Sequence, residues 1–289
     1  MLCDMSLKWM APTGKSAWKS YARLVATTLV CYACMALAQE QGVRSFEKMK
    51  YGLFVHPLRS GNAATSGPAP GAARWFDATA LRLTNGAPVT CWRDASGQEA
   101  DAVCSPGVNR PPTFLADAGT GTGLGTVHFG PGSGENPALN SEALVFRADT
   151  RIRTVFSVFK GSGFLLTDYG ATRFHRPDDT NAAAQLWCDA YASPAILGGI
   201  TYVNGAVVNW ATLSLPTNLH HGFNLVEVIT TNPVTASGFN KDRVCHAGDQ
   251  HQGEVLIYDF PLDSAQRLRT EAYLRAKWFG ERSVPEGRN

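Results

Sequence analysis

The chain has 289 residues, 44% hydrophobic and 17% charged, with 28 glycines and 16 prolines. That length holds one large domain or two small ones, and low charge with frequent Gly and Pro favours a β-rich globule over helices or disorder. A formal net charge of +2 excludes the strongly basic surface that phosphate backbones demand, so nucleic acid is not an expected partner.

In chain order, the first feature is an export address. Lys8, Lys15, Lys19 and Arg23 precede the apolar run Leu24–Leu37, which ends in Ala36-Leu37-Ala38. Small residues at the first and third positions of that triplet suit signal peptidase, so a signal peptide is expected over residues 1–38 and the protein is expected to be secreted or at the cell surface. The run is shorter than the roughly 20 residues a spanning helix needs, and no membrane span is expected after cleavage. Neither Cys31 nor Cys34 sits in a good lipid-attachment context. The remaining chain has 22 basic and 23 acidic residues, a net charge of −1.

Residues 39–72 read as a leader, whose second half Ser60–Gly71 (SGNAATSGPAPG) is a linker with too little bulk to pack. A domain is expected over 73–280 and a flexible tail over 281–289. Strands are expected at Thr126–Phe129, Ala143–Arg147, Thr154–Lys160, Phe164–Thr167, Ile200–Val203, Ala206–Asn209, Leu225–Thr231 and Glu254–Phe260, where β-branched and aromatic residues recur between turn signals. Asn204-Gly205 supplies the two positive φ angles of a type I′ hairpin. Val155, Phe156, Val158 and Phe159, and again Val255 to Tyr258, are apolar on both faces. Such strands are central, with one face on an opposing sheet and the other under a loop or helix. The cover is expected to be a helix from Ser264 to Trp278. Asp263 and Gln266 form its capping pattern, and Ala265, Leu268, Ala272, Ala276 and Phe279 form its inward stripe.

Cys91, Cys104, Cys188 and Cys245 remain after cleavage, an even set that an oxidising compartment can join as two bridges. Three pairings are open. Cys91–Cys104 with Cys188–Cys245 is favoured, because the first pair brackets a turn-rich segment whose closure contributes roughly 3 kcal/mol.

The residues able to carry chemistry are few. A glycosidase needs two carboxylates about 5–5.5 Å apart for retention or about 6.5–9.5 Å for inversion, and no E-x-D-x-E run puts such a pair on one strand face. Glu227 and Glu254 stand singly and read as edge or structural carboxylates. His220, His221, His246 and His251 cluster in sequence near Cys245 and Asp249, but His246 and His251 lack the spacing of a helical ligand pair. No cofactor is expected except calcium, for which Asp178, Asp179, Asp242 and Asp249 are the candidates, since that ion needs six to eight oxygens. The Gly119–Gly134 run holds no G-x-G-x-x-G register and reads as a strand between turns. Trp187, Tyr191, Trp210 and His175 are the candidate ligand contacts, offering ring area beside polar groups.

Several of these segments also carry a resemblance. Ala73–Ala78 (ARWFDA), Val89–Gly97 (VTCWRDASG), Arg110–Thr113 (RPPT), Val155–Lys160 (VFSVFK), the Tyr202–Gly205 hairpin and the closing Gly253–Trp278 segment occur in an order that resembles concanavalin-A-like, laminin-G-like domains of secreted bacterial proteins. The resemblance covers most of Ala73–Gly280. Trp92-Arg93-Asp94 followed by Ser96-Gly97 is similar to the family's early W-x-D-x-S-G turn, and Glu254–Tyr258 to its last core strand. It implies an all-β fold: a two-sheet antiparallel β-sandwich of jelly-roll type with a C-terminal α-helix. It implies no catalytic residue, because such folds host lectins, adhesion modules and enzymes alike. Phe46–His56 (FEKMKYGLFVH) is similar to the opening of secreted α-L-fucosidase-like hydrolases, with Pro57 where that family has an aromatic. A complete barrel of about 250 residues does not fit beside the sandwich. The expected function is a secreted, non-catalytic lectin-like module that binds a glycan, a cell-surface polysaccharide or another extracellular surface. A glycoside hydrolase or polysaccharide lyase of the same fold, and a structural adhesion or spacer domain, are the alternatives.

Overall fold

Apolar residues on both faces of consecutive strands commit this chain to a sheet that must be covered twice. The computed structural model describes residues 67–104, 110–130, 142–161, 165–168, 174, 186–210, 222–240 and 249–280, all within the unit Ala63–Asn289. The signal peptide, the Phe46–His56 leader and the 281–289 tail lie outside the described residues.

The strands are β1 Arg74–Asp77, β2 Cys91–Trp92, β3 Ala102–Val103, β4 Thr113–Leu115, β5 Thr126–Phe129, β6 Leu144–Gly161, β7 Ile200–Val203, β8 Ala206–Val208, β9 Asn224–Phe239 and β10 Gln250–Tyr258. They pair antiparallel in the order β4-β5-β10-β6-β9-β7-β8, with β1 on β10 and β3 joining β2 to β6. Among the described residues helices are few: a 3-10 turn at Ala78–Leu81, a short α1 at Pro194–Leu197 and a long α2 at Ser264–Phe279. The fold is therefore all-β, as expected.

Two segments expected to be separate are one strand. Ala143–Arg147 and Thr154–Lys160 fuse into the 18-residue β6, and Leu225–Thr231 extends to Phe239 as β9. Their ladder shifts register between Val145 and Asp149, Asp149 and Ile152, and Ile152 and Thr154. Such irregularities let a long strand bend without ending. Of the expected Phe164–Thr167 strand, the described part makes only an isolated bridge between Thr167 and Gly238.

Period-2 alternation divides the core. Val155, Phe159, Val255 and Ile257 point to one face, joining Phe76, Trp92 and Phe239. Phe156, Val158, Leu256 and Tyr258 point to the other, joining Leu225, Leu274 and Trp278. Each buried Val, Leu, Ile or Phe contributes roughly 1.5–3 kcal/mol. Phe239 organises the first face, with ring centroids at 5.3 Å from Trp92, 5.4 Å from Phe76 and 5.6 Å from Phe146. Asp94 ties the Trp92–Asp101 turn to β1, accepting from the Trp75 and Ser96 amides at 2.9 Å, so the W-x-D-x-S-G motif is structural. The β7–β8 turn is the expected hairpin, with φ of 52° at Asn204 and 81° at Gly205.

Helix α2 starts as expected: Asp263 accepts from the Gln266 amide, and the Gln266 side chain accepts from the Asp263 amide. Its inward face differs from the expected one. Ala265 and Ala276 are exposed, and Leu268 is 51% exposed. Arg267, Thr270, Glu271, Leu274 and Trp278 are buried instead. Buried carboxylates in the sheet below select this face, because they need donors that an Ala/Leu stripe cannot supply.

The linker expectation also needs correcting at its end. Ala69 is buried in the second core, its amide donates to Thr270 Oγ1 at 3.0 Å and its carbonyl accepts from Tyr258 Oη at 2.9 Å. The expected Cys91–Cys104 bridge is absent, and both residues are thiols. Cys91 pairs with Val103, and the Cys104 amide bonds the Thr90 carbonyl at 2.9 Å. That register sends the two side chains to opposite faces of the ribbon. Cys91 Sγ lies 3.5 Å from Asp101 Oδ2, and burial followed by that carboxylate's charge pushes its pKa up. Cys188 is a thiol; its expected partner Cys245 lies outside the described residues.

Candidate functional site

Two of the aromatic candidates are taken up by packing. Trp187 is fully buried in the first core and donates from Nε1 to Thr201 Oγ1 at 3.0 Å. Trp210 is half-buried against the same core and donates to the Leu197 carbonyl at 2.7 Å. Both indoles stabilise the α1 region. Tyr191 is 54% exposed on the turn before α1. His175, Asp178, Asp179 and Asp242 lie outside the described residues.

A hollow of about 760 Å³ opens elsewhere, bounded by the Gly67–Trp75 segment, the Ala95–Gln98 loop, the irregular part of β6 at Arg147–Arg151, and Asp259 and Arg269. Four arginines, Arg74, Arg147, Arg151 and Arg269, line it against two carboxylates, Asp149 and Asp259. Both carboxylates are engaged. Asp149 accepts from the Arg151 amide at 3.0 Å, and Asp259 pairs with Arg151 at 3.0 Å. Arg151 is 71% exposed in its side chain, Arg147 is exposed, and Arg74 Nε is buried without a hydrogen-bond partner. The wall therefore presents guanidinium donors in excess, beside the Trp75 ring and the Ser96 hydroxyl. Sequence reasoning missed it, because its residues come from five separated segments.

The carboxylates with the most perturbed chemistry are not in this hollow. Glu227 on β9 is fully buried, and Arg267 donates to it and to Glu271 at 2.8 Å each. The guanidinium also lies 4.1 Å from the Tyr202 ring centroid. Burial, then the charge of Glu271, outweighs Arg267 and pushes Glu227 up to about 7. Among the described residues its Oε1 has no hydrogen-bond partner. Glu254, in the irregular step of β10 between Gln252 and Val255, accepts from Trp75 Nε1, Trp278 Nε1 and Lys277 Nζ at 2.7 Å each. Tyr273 Oη adds a bond at 3.0 Å, and Lys277 also pairs with Asp77 at 2.7 Å. Burial pushes the Glu254 carboxyl up against the pull of Lys277, and burial with Glu254's charge raises the Tyr273 hydroxyl. Helix α2 seals both carboxylates, so neither is an edge residue, and both are structural.

A third group lies on β5 and β10. His128 and His251 are directly opposite in the ladder, their ring centroids 4.4 Å apart. His128 Nε2 is 2.6 Å from Asp249 Oδ1, and the Asp249 side chain is 64% exposed. His251 packs edge-on to Phe223. Burial, followed by the charges of His128 and Lys160, lowers its pKa to about 4. Of the calcium candidates only Asp249 is described, and its neighbours here are imidazoles. His251 and Asp249 stood out in the sequence, but His128 did not, because only the β5–β10 register brings it to them.

Among the described residues no helix is long and apolar enough to cross a membrane. Comparison with known family models, curated proteins and solved structures gives no match.

Proposed function

We propose that this chain is an exported, non-catalytic, lectin-like module with a concanavalin-A-like sandwich fold, and that it binds an acidic glycan in the arginine-lined hollow. The excess of guanidinium groups over carboxylates on that wall carries the reading. Guanidinium forks match carboxylate and sulfate geometry, while Trp75 and Ser96 add the ring area and hydroxyl contacts that orient a sugar. The register shifts along the β6–β9 ladder, partners on both sides of each of these strands, and apolar cores on both sheet faces support the sandwich. Binding is favoured over hydrolysis because the carboxyls held at raised pKa, as a general acid requires, are sealed under α2.

The test is titration of the purified chain with a polyuronate, a sulfated polysaccharide and a neutral glucan at two salt concentrations. Acidic polymers should bind, the neutral one should not, and affinity should fall with salt. Arg147→Ala and Arg151→Ala should each weaken binding about tenfold, since a charge-assisted hydrogen bond contributes roughly 1.5–3 kcal/mol. Equal binding of neutral and acidic polymers would overturn the choice of ligand class. Release of new reducing ends would overturn the non-catalytic reading.

A further inference from the structure

The His128–His251–Asp249 group lies outside the arginine-lined hollow, and neither the core nor the proposed glycan site uses it. Directly opposed residues of an antiparallel pair have Cβ atoms about 4.5–5.5 Å apart on one face, so the two imidazoles can reach a common point. Asp249 stands two residues before His251, the spacing that returns a side chain to the same face. One ligand atom from each of the three lies within 4.8 Å of the others. In a tetrahedral zinc site, bonds of about 2.0–2.1 Å place ligand atoms roughly 3.3 Å apart, so modest side-chain rotations close the set.

The backbone beneath is fixed by a close approach. Gly161 ends β6 at φ +114°, and a Cβ there would run into the Asp249 carbonyl, so only glycine lets the start of β10 lie against β6. Thr126 Oγ1 is 3.5 Å from His251 Nδ1. Lys160 is the cross-strand neighbour of His251 on β6, with its ammonium 5.4 Å from the Phe223 ring centroid. That cation opposes an incoming one and limits affinity without blocking it. Two nitrogens and one carboxylate oxygen suit borderline ions, not the all-oxygen shell of calcium, and exposed Asp249 leaves one side open to water.

We propose that His128, His251 and Asp249 bind a first-row transition ion of the zinc class, with solvent completing its coordination. The full chain, stripped with chelator and dialysed, is titrated calorimetrically with Zn²⁺ and then with Ca²⁺, and Co²⁺ absorption reports the ligand geometry. The expected result is a Zn²⁺ site with a tetrahedral Co²⁺ spectrum. Affinity should fall at least tenfold in His128→Ala, His251→Ala and Asp249→Asn, because altering even the partners of metal ligands costs about 10–100-fold. Asp249→Asn changes an exposed side chain, so its circular dichroism and glycan affinity should match the parent while its Zn²⁺ binding drops. Zn²⁺ affinity unchanged in folded Asp249→Asn and His251→Ala would place any ion elsewhere and overturn the site. Absence of Zn²⁺ binding would reduce the group to a hydrogen-bonded His–Asp pair, and Ca²⁺ binding with the same variant dependence would overturn the ion class.

Discussion

Glu227 illustrates how a single side chain can couple this fold to pH. Its folded pKa of about 7 exceeds the ordinary 4.5, so the native state holds a proton that the unfolded chain releases. The stabilisation is complete below about pH 4.5 and is lost as pH rises through about 7, a difference on the order of 3 kcal/mol at most. His251 runs the other way. Lowered from 6.5 to about 4, it contributes stability above pH 6.5 that is lost as pH falls toward 4. Chemical denaturation of wild type and Glu227→Gln from pH 4.5 to 8 separates them: the stability difference between the two proteins should shift with pH in the sense set by Glu227. A pH-independent difference would contradict the raised value. Arg267→Met should destabilise by about 3–5 kcal/mol, since it takes from buried Glu227 its guanidinium partner and leaves Glu271 with Arg275 alone; the same denaturation measurement checks it. The sequence marks Glu227, lone between Val226 and Val228, as an edge or structural carboxylate, but its burial and its guanidinium partner 40 residues away follow from how α2 docks.

At the scale of elements, α2 shows why a capping box is easier to read than a face. The box is local, closed by backbone and side chains three residues apart, and Asp263→Ala should cost about 1 kcal/mol. The apolar stripe was misleading for a physical reason. Alanines and Leu268 contribute little area beside Trp278, and the sheet below presents carboxylates that require Arg267, Lys277 and the indole N–H. Two substitutions distinguish the stripes in a thermal melt. Leu268→Glu should change stability by no more than about 0.5 kcal/mol, as exposed positions do, while Trp278→Ala should cost at least about 3–5 kcal/mol. The hairpin at Asn204-Gly205 was legible because its φ angles depend on those two residues alone. The fusion of Ala143–Arg147 with Thr154–Lys160 into β6 was not, since Arg147–Arg153 carries the polar residues of a loop and is held extended by a partner strand.

For the molecule as a whole, the two cores are unequal in their means of cover. The second rests on α2 and the Gly67–Ala72 segment, so a chain ending at Leu262 should expose Phe156, Val158, Leu225 and Leu256 as one patch. Large exposed apolar patches drive association, and size-exclusion chromatography with a hydrophobic dye should show aggregation and strong dye binding. The strand pairing also has a consequence for how the protein is made. β10 is central, bonded to β1, β5 and β6, yet among the described strands it comes last in chain order. Arg74 must wait for Ile257 before β1 gains its ladder partner. An inner strand of the sheet thus follows nine others in the chain, and nascent strands β1 to β9 remain an unfinished template until β10 emerges.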